Sequence, residues 1–329
     1  SLTPRPSIKL RKMKLIVNTK NIRSIIRAGA LGLLLIGLKA ETAKAQLHPL
    51  GAIYYQNPYL INPALAGKEE GFFANAAVRR QWSNMPGAPS TQALSFEYGS
   101  GKKSGVGINL YNDEAGLQKR TRVRGTYAYQ LPLDADGQRL SFGVSLGYSD
   151  DRLMQERLSS NVDGSDRSIA GYQDRDTYFD GDFGAAYQGK KLGLELAVPN
   201  LKSFFKKDQA EGNLADESKL YTAASYKMFF ADALDGMTLE PKVAYRQIKG
   251  FEDIVDFGAN MSLAENKVNV MAVYHSTRST TIGMGVKYQK YLVISGIFTS
   301  GTAAIRDYTN GNFELNLRVS LDEVFKGKK

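Results

Sequence analysis

The sequence predicts an all-β protein: a transmembrane antiparallel β-barrel of about 14 strands, preceded by an Asn-Pro-rich lead-in. Three observations carry this. After residue 71 the chain breaks into short stretches in which apolar residues alternate with small or polar ones. A cleavable leader precedes them. The connections between stretches alternate in length, as expected when hairpins turn on opposite sides of a membrane.

The alternation is clearest where Leu140, Phe142, Val144, Leu146 and Tyr148 interleave with Ser141, Gly143, Ser145, Gly147 and Ser149. Successive side chains on a strand point to opposite faces, so one face suits lipid and the other is small and polar. Near the C-terminus Phe313, Leu315, Leu317, Val319 and Leu321 interleave with Glu314, Asn316, Arg318 and Ser320, which need water or a partner. A soluble sandwich shares this period, so alternation alone leaves both folds open.

The N-terminus separates them. Arg11, Lys12, Lys14, Lys20, Arg23 and Arg27 precede an apolar run from Ala28 to Leu38, then Ala43-Lys44-Ala45, the pattern of a secretory signal cut before Gln46. The run is too short for a spanning helix, and no later stretch approaches the ~20 apolar residues one needs. The chain opens on Ser1, so Met13 is the expected start, with foreign residues before it. The expected organisation is 1–45 signal peptide and leader, 46–71 an N-terminal periplasmic or lumenal segment, and 72–329 the barrel.

Strands are expected over 72–80, 91–98, 105–111, 121–131, 139–149, 178–188, 192–198, 219–230, 238–247, 253–263, 267–275, 280–289, 291–299 and 312–321, an even number. With both ends in the periplasm, the long connections 81–90, 112–120, 150–177, 199–218 and 300–311 face outside. Those over 248–252 and 276–279 are as short as the inner turns.

Cleavage changes the charge. The chain has 43 Lys and Arg against 33 Asp and Glu, but residues 1–45 take ten bases and one acid, which leaves a mature net charge of about +1. Nucleic-acid binding thereby loses its electrostatic basis. The absence of cysteine excludes disulfides, thiolate metal sites and a lipid anchor on an N-terminal Cys. A barrel needs none of these, since every strand pairs with two neighbours.

Tyr98, Tyr111, Tyr148, Tyr178, Phe230, Tyr274, Tyr288 and Tyr291 lie near strand ends, as in interfacial girdles. The expected inner face carries Glu97, Arg122, Arg124, Glu195, Glu240, Lys242, Arg246, Asp256, Lys287, Glu314 and Arg318. A selective pore favours a ring of one sign. Mixed signs point to a salt-bridged, closed lumen that conducts poorly, filled by loops or an N-terminal segment.

Two motif blocks stand out. Residues 53–67 read Ile-Tyr-Tyr-Gln-Asn-Pro-Tyr-Leu-Ile-Asn-Pro-Ala-Leu-Ala-Gly. The two Asn-Pro pairs favour turns and disfavour helix before each proline, giving a rigid, kinked, aromatic lead-in. Tyr55, Asn57, Pro58, Asn62, Pro63 and Gly67 are its candidate partner-binding or lumen-closing residues. In the second block, 79–97, Trp82 stands beside Pro86-Gly87-Ala88-Pro89, a turn that fixes a shaped first loop. Trp82, Pro86, Gly87 and Pro89 complete the candidate set.

Together these blocks resemble the PorP/SprF outer-membrane family of the type IX secretion system and gliding machinery of Bacteroidota. The matching residues are Tyr54 or Tyr55, Asn57, Pro58, Asn62, Pro63, Ala64, Gly67, Arg79 or Arg80, Gln81, Trp82, Gly87, Ala88, Pro89 and Thr91, with Val198-Pro199-Asn200-Leu201 resembling a mid-chain motif. The resemblance implies a non-enzymatic outer-membrane barrel, without cofactor or metal, that helps export cargo proteins. Its implied partners are periplasmic ring and lipoprotein components and a secreted surface protein with a C-terminal sorting domain. It does not separate a core component from a cargo-specific paralogue.

The alternative is a FadL-like transporter of hydrophobic small molecules, which shares the strand number and an Asn-Pro-Ala hatch matched by Asn62-Pro63-Ala64. Such a transporter lines its path with apolar groups, whereas the inner face here is charged. An enzyme would have to use His48 or His275, and Ser276 beside His275 points to the opposite face. Asp163, Asp166, Asp174, Asp176, Asp180 and Asp182 are oxygen donors suited to calcium, but without an EF-hand pattern and with Arg167 and Arg175 to neutralise them. Phe204, Phe205, Lys206 and Lys207 form an apolar-basic loop patch suited to cargo or to the barrel rim. The terminal Lys326–Lys329 run departs from the aromatic-ended strand common in assembled barrels.

Overall fold

The computed structural model describes residues 53–82, 87–154, 177–202, 218–230, 236–248, 252–302 and 309–326. Three single-turn 3-10 helices come first, η1 (Ile53–Tyr55), η2 (Pro58–Leu60) and η3 (Pro63–Leu65). The strands follow: β1 (Gly71–Gln81), β2 (Ser90–Gly99), β3 (Ser104–Ala115), β4 (Gln118–Pro132), β5 (Arg139–Leu153), β6 (Tyr178–Gln188), β7 (Leu192–Val198), β8 (Ser218–Tyr226), β9 (Met228–Phe230), β10 (Met237–Ile248), β11 (Ile254–Leu263), β12 (Val268–His275), β13 (Thr280–Tyr288), β14 (Leu292–Thr299) and β15 (Asn312–Ser320), with a last short helix α1 (Leu321–Lys326).

All pairings are antiparallel. β1 pairs with β2 on one side and with β15 on the other, from Phe73↔Ser320 to Gln81↔Asn312, so the wall closes. β8 and β9 occupy one stave: Ser225↔Lys242 and Met228↔Leu239 keep the same register along β10. The wall therefore has fourteen staves, the number the sequence predicts. The break between β8 and β9 lies opposite Pro241, which has no N–H to give to a ladder.

Closure leaves two faces. Val106, Ile108, Leu110, Val144, Leu146, Ile282, Met284 and Leu315 are among the large apolar side chains exposed on the outside. In water such a surface is an aggregation hazard, while in hydrocarbon it is the required one. The edge carrying connections 100–103, 133–138, 189–191, 264–267 and 289–291 is the turn rim, and the opposite edge is the loop rim.

Outward aromatics mark both rims. Phe72 stacks on Tyr98 at 4.3 Å by the turn rim, and Tyr148 meets Phe179 edge-on at 5.5 Å by the loop rim. Of the expected girdle, Tyr98, Tyr148, Phe230, Tyr274 and Tyr288 are exposed on the outer wall. Tyr111 and Tyr178 are corrections. Both lie on the inward register of their strands, where Tyr111 is buried with Arg122 over its ring and Tyr178 is half-buried with Lys202 over its ring.

Two boundaries also differ. The expected outer loop at 112–120 is a tight turn, Gly116-Leu117, because Asn112–Glu114 continue pairing with Thr121–Lys119. The polar extension is held by Thr121 Oγ1 donating to Asn112 Oδ1 (3.1 Å) and by Lys119 with Glu114 (3.1 Å). β15 stops at Ser320, and Leu321 starts α1 instead of ending the strand. Asp322 Oδ2 accepts the Phe72 N–H at 2.7 Å, which ties α1 to the start of β1.

Candidate functional site

Residues 53–67 sit inside the wall. Asn62 folds η3 locally: its Oδ1 accepts the Ala64 N–H at 3.0 Å, and Pro63 occupies the first helical position, where no amide proton is needed. Asn57 precedes Pro58 in the same way but does not cap η2. Its Nδ2 instead donates to Ser95 Oγ at 3.0 Å, so the two Asn-Pro pairs serve different ends, one local and one anchored to β2.

The segment reaches across the barrel in several directions. Ile53 clusters with Ala77 of β1, Ala93 of β2 and Tyr111 of β3. Tyr54 clusters with Ala197, Tyr221, Ala223, Ala244 and Val273, which belong to β7, β8, β10 and β12, and Tyr55 packs against Met271 and Ile297. Tyr59 joins Ala66 and Ala128, while Ala64 and Leu65 join Ala186. Tyr59 donates to Thr126 Oγ1 at 2.8 Å and accepts from Asn109 Nδ2 at 3.2 Å. Burial pushes its phenol up to about 12 despite these two bonds, so it stays neutral.

Small residues on the wall make the room. A Cβ on Gly143 would lie 2.3 Å from the Pro63 carbonyl carbon, one on Gly184 2.0 Å from Asn62 Oδ1, and one on Gly107 2.7 Å from the Tyr59 ring. The inward half of the Ser-Gly alternation in β5 is therefore a seat for the plug.

The exit of the segment is clamped. Glu97 Oε2 accepts the Gly67 N–H (3.2 Å), Gln130 Nε2 donates to the Gly67 carbonyl (2.9 Å) and Arg139 to the Lys68 carbonyl (3.0 Å). Gly67 has φ +60°, and a Cβ there would stand 2.4 Å from the Tyr98 carbonyl oxygen. Gly67→Ala is accordingly expected to cost about 1–3 kcal/mol of plug seating. Trypsin cleavage at Lys68 should speed up while the barrel stays resistant, and unchanged cleavage would mean that the clamp is dispensable.

Ionised side chains lie on the turn-rim and loop-rim sides of this aromatic layer. On the turn-rim side Arg318 pairs with Glu97 (3.5 Å) and Glu69 (3.2 Å), and Lys242 pairs with Glu195 (2.9 Å) while facing the Tyr54 and Tyr55 rings. On the loop-rim side Arg246 grips Asp256 with two bonds of 3.0 Å. His275 Nδ1 lies 2.6 Å from Asp256 Oδ1 and its Nε2 2.8 Å from Thr281 Oγ1, which meets Thr299 Oγ1 at 2.8 Å. His275 is thus an inward, fully buried member of a network. Ser276 is not its partner; Ser276 Oγ accepts the Val255 N–H. The Asp256–His275–Thr281 chain has the order of a catalytic relay, but Thr281 is fully buried and its hydroxyl is committed on both sides. What the chain does is join β10, β11, β12, β13 and β14 from within.

The remaining candidates sit elsewhere. Trp82 has φ +49° and donates its backbone N–H to the Gly311 carbonyl at 2.9 Å. Gly87, with φ +71°, offers its carbonyl to the Gly116 N–H (3.1 Å), and the Pro89 carbonyl accepts from Gln81 (2.9 Å). These residues shape the loop rim and are not part of the plug. Pro86 lies outside the described residues, as do His48, Asp163, Asp166, Asp174, Asp176 and Phe204–Lys207. Asp180 and Asp182 spend their carboxylates on the turn after β7: Asp182 accepts the Asn200 N–H and Asp180 the Lys202 N–H, each at 2.9 Å. Asn200, with φ +56°, makes that turn. The alternation could reveal the inward charges, but nothing local in the sequence marks His275, Thr281 and Thr299 as one network.

A closed wall with an apolar exterior and an N-terminal segment packed across its lumen defines a plugged β-barrel of the outer-membrane type. Over residues 43–319 the chain matches the family described as Type IX secretion system membrane protein PorP/SprF, and it belongs to that family. No curated protein matches it. Similar solved structures include the Acinetobacter baumannii outer membrane protein Omp33 (9% identity, TM-score 0.44, covering 77% of this chain and 99% of that one). The P. putida toluene transporter TodX is also similar (11%, 0.44, 81% and 92%), as is a Rh. blastica porin mutant (12%, 0.34, 75% and 98%).

Proposed function

We propose that this protein is a non-enzymatic accessory or cargo-partner barrel of type IX secretion in the outer membrane, acting as an adaptor and not as the conduit. The observation that carries the adaptor reading is the plug: 53–67 packs against β1–β8, β10, β12 and β14, and the wall around it is charged and paired. A conduit for polypeptide needs an open cross-section, and a carrier of apolar molecules needs an apolar path. Neither fits a lumen crossed by tyrosines and lined by ion pairs. In this reading the turn rim faces the periplasm, where the ring and lipoprotein components lie, and a surface protein with a C-terminal sorting domain is the cargo.

The test is an in-frame deletion of 54–67 in the native host. Cargo export should be lost while the heat-modifiable barrel still reaches the outer membrane. Normal export from such a barrel would remove the segment from the mechanism. Pull-down of the intact tagged protein should retain secretion components; recovery of the barrel alone with a bound fatty acid would favour the transporter reading.

A further inference from the structure

Between the plug and the wall, on the turn-rim side, lies a cavity of about 100 Å³. Tyr54, Tyr55 and Lys68 line it from the plug side, and Glu195, Glu240 and Lys242 from the wall. Lys191 from the β6–β7 turn and Lys227 from the break between β8 and β9 complete it. Four ammonium groups thus face two carboxylates. Only Lys242 has its countercharge within 4 Å; among the described residues Lys68, Lys191 and Lys227 make no ion pair. Burial and then the neighbouring Lys227 ammonium lower the Lys68 pKa, against the opposing pull of Glu69, Glu240 and Glu195. Like charges gathered at a concave site focus a positive potential there, which an anion neutralises.

An acidic polypeptide answers the ammonium groups with a side-chain carboxylate in the cavity and a further carboxylate at Lys191, which is exposed. The volume admits the end of one such side chain and no folded element.

We propose that this vestibule is a receptor for a carboxylate side chain on an acidic segment of a protein partner, entering from the turn rim and seated on Lys68, Lys191 and Lys227. The assignment rests on the adaptor reading and names the chemistry of its partner on that side. It also gives the break opposite Pro241 a use, because the interruption is where Lys227 enters the lining.

Amine footprinting of the intact, membrane-assembled protein tests this. The full chain in nanodiscs is acetylated with a water-soluble succinimidyl ester, with hexaglutamate, hexaglutamine or inorganic phosphate present, and each lysine is followed by mass spectrometry. Hexaglutamate should slow modification of Lys68 and Lys227 about fivefold or more while changing Lys102 and Lys103 in the β2–β3 turn less than about twofold, and hexaglutamine should do neither. Lys227→Gln should abolish the protection of Lys68. Uniform protection of all lysines, or none at Lys68 and Lys227, overturns the site. Protection by phosphate but not by hexaglutamate overturns the peptide in favour of a free anion. None of these results touches cargo export by the plug-deleted barrel, so the two readings fail separately.

Discussion

Deleting residues 53–67 should turn a poorly conducting barrel into an open one, with single-channel conductance in planar bilayers rising at least about tenfold. The wall closes without the segment, because the strands pair in a ring from β1 round to β15 and back to β1 without any residue before Gly71. What the deletion removes is Tyr54, Tyr55 and Tyr59, the bulk that crosses the lumen. Facing the vacated space it leaves Gly107, Gly143, Gly184, Ala93, Ala128 and Ala186, residues too small to refill it. Gly143→Leu should reproduce part of the effect without a deletion, since its side chain and Pro63 claim the same space. Equal conductance for intact and deleted protein, with the deleted form shown to be assembled by heat modifiability, would mean that other segments close the pore.

Arg246→Met should destabilise the barrel by about 3–5 kcal/mol, read as a shift of the urea unfolding midpoint in detergent. The Asp256 carboxylate is fully buried and is held by Arg246 and His275. Without the guanidinium it keeps the desolvation cost and loses the larger of its two compensations. The double variant Arg246→Met/Asp256→Leu should recover much of the loss, because removing both charges removes the mismatch. The recovery stays incomplete, since His275 Nδ1 is then left without its acceptor. A single-variant shift below about 1 kcal/mol would mean that water or other groups already carry Asp256.

The wall was legible in the sequence because its signal is local. Leu140 to Ser149 declare both faces of β5 within ten residues, and the rule that assigns them to lipid and lumen needs no knowledge of the neighbours. The same holds for the Asn-Pro pairs, whose turn chemistry belongs to the dipeptide. Legibility ends where partners are distant in sequence. Thr281 reads as a polar strand residue, and only the closed wall brings it to His275 and Thr299. Tyr111 and Tyr178 read as girdle residues because they stand near strand ends; an odd or even position decides whether such a ring meets lipid or lumen. The Gly116-Leu117 turn was hidden because Asn112–Glu114 look like loop residues by composition, yet above the lipid polar residues pair in a ladder as well as apolar ones do.

The plug precedes every stave of the wall in the sequence, and the wall closes only with the last of them, β15. Phe72 and Asp322, which meet at the closing seam, are 250 positions apart. The seats for η3, Gly143 on β5 and Gly184 on β6, are made long before β15 exists. The early half of the sheet can therefore gather the plug while still open, and closure then wraps the remaining staves around an occupied centre. Non-local closure of this kind is slow. The plug is thus seated on staves that come early in the chain and enclosed by staves that come late, so one short segment packs against both ends of the sequence.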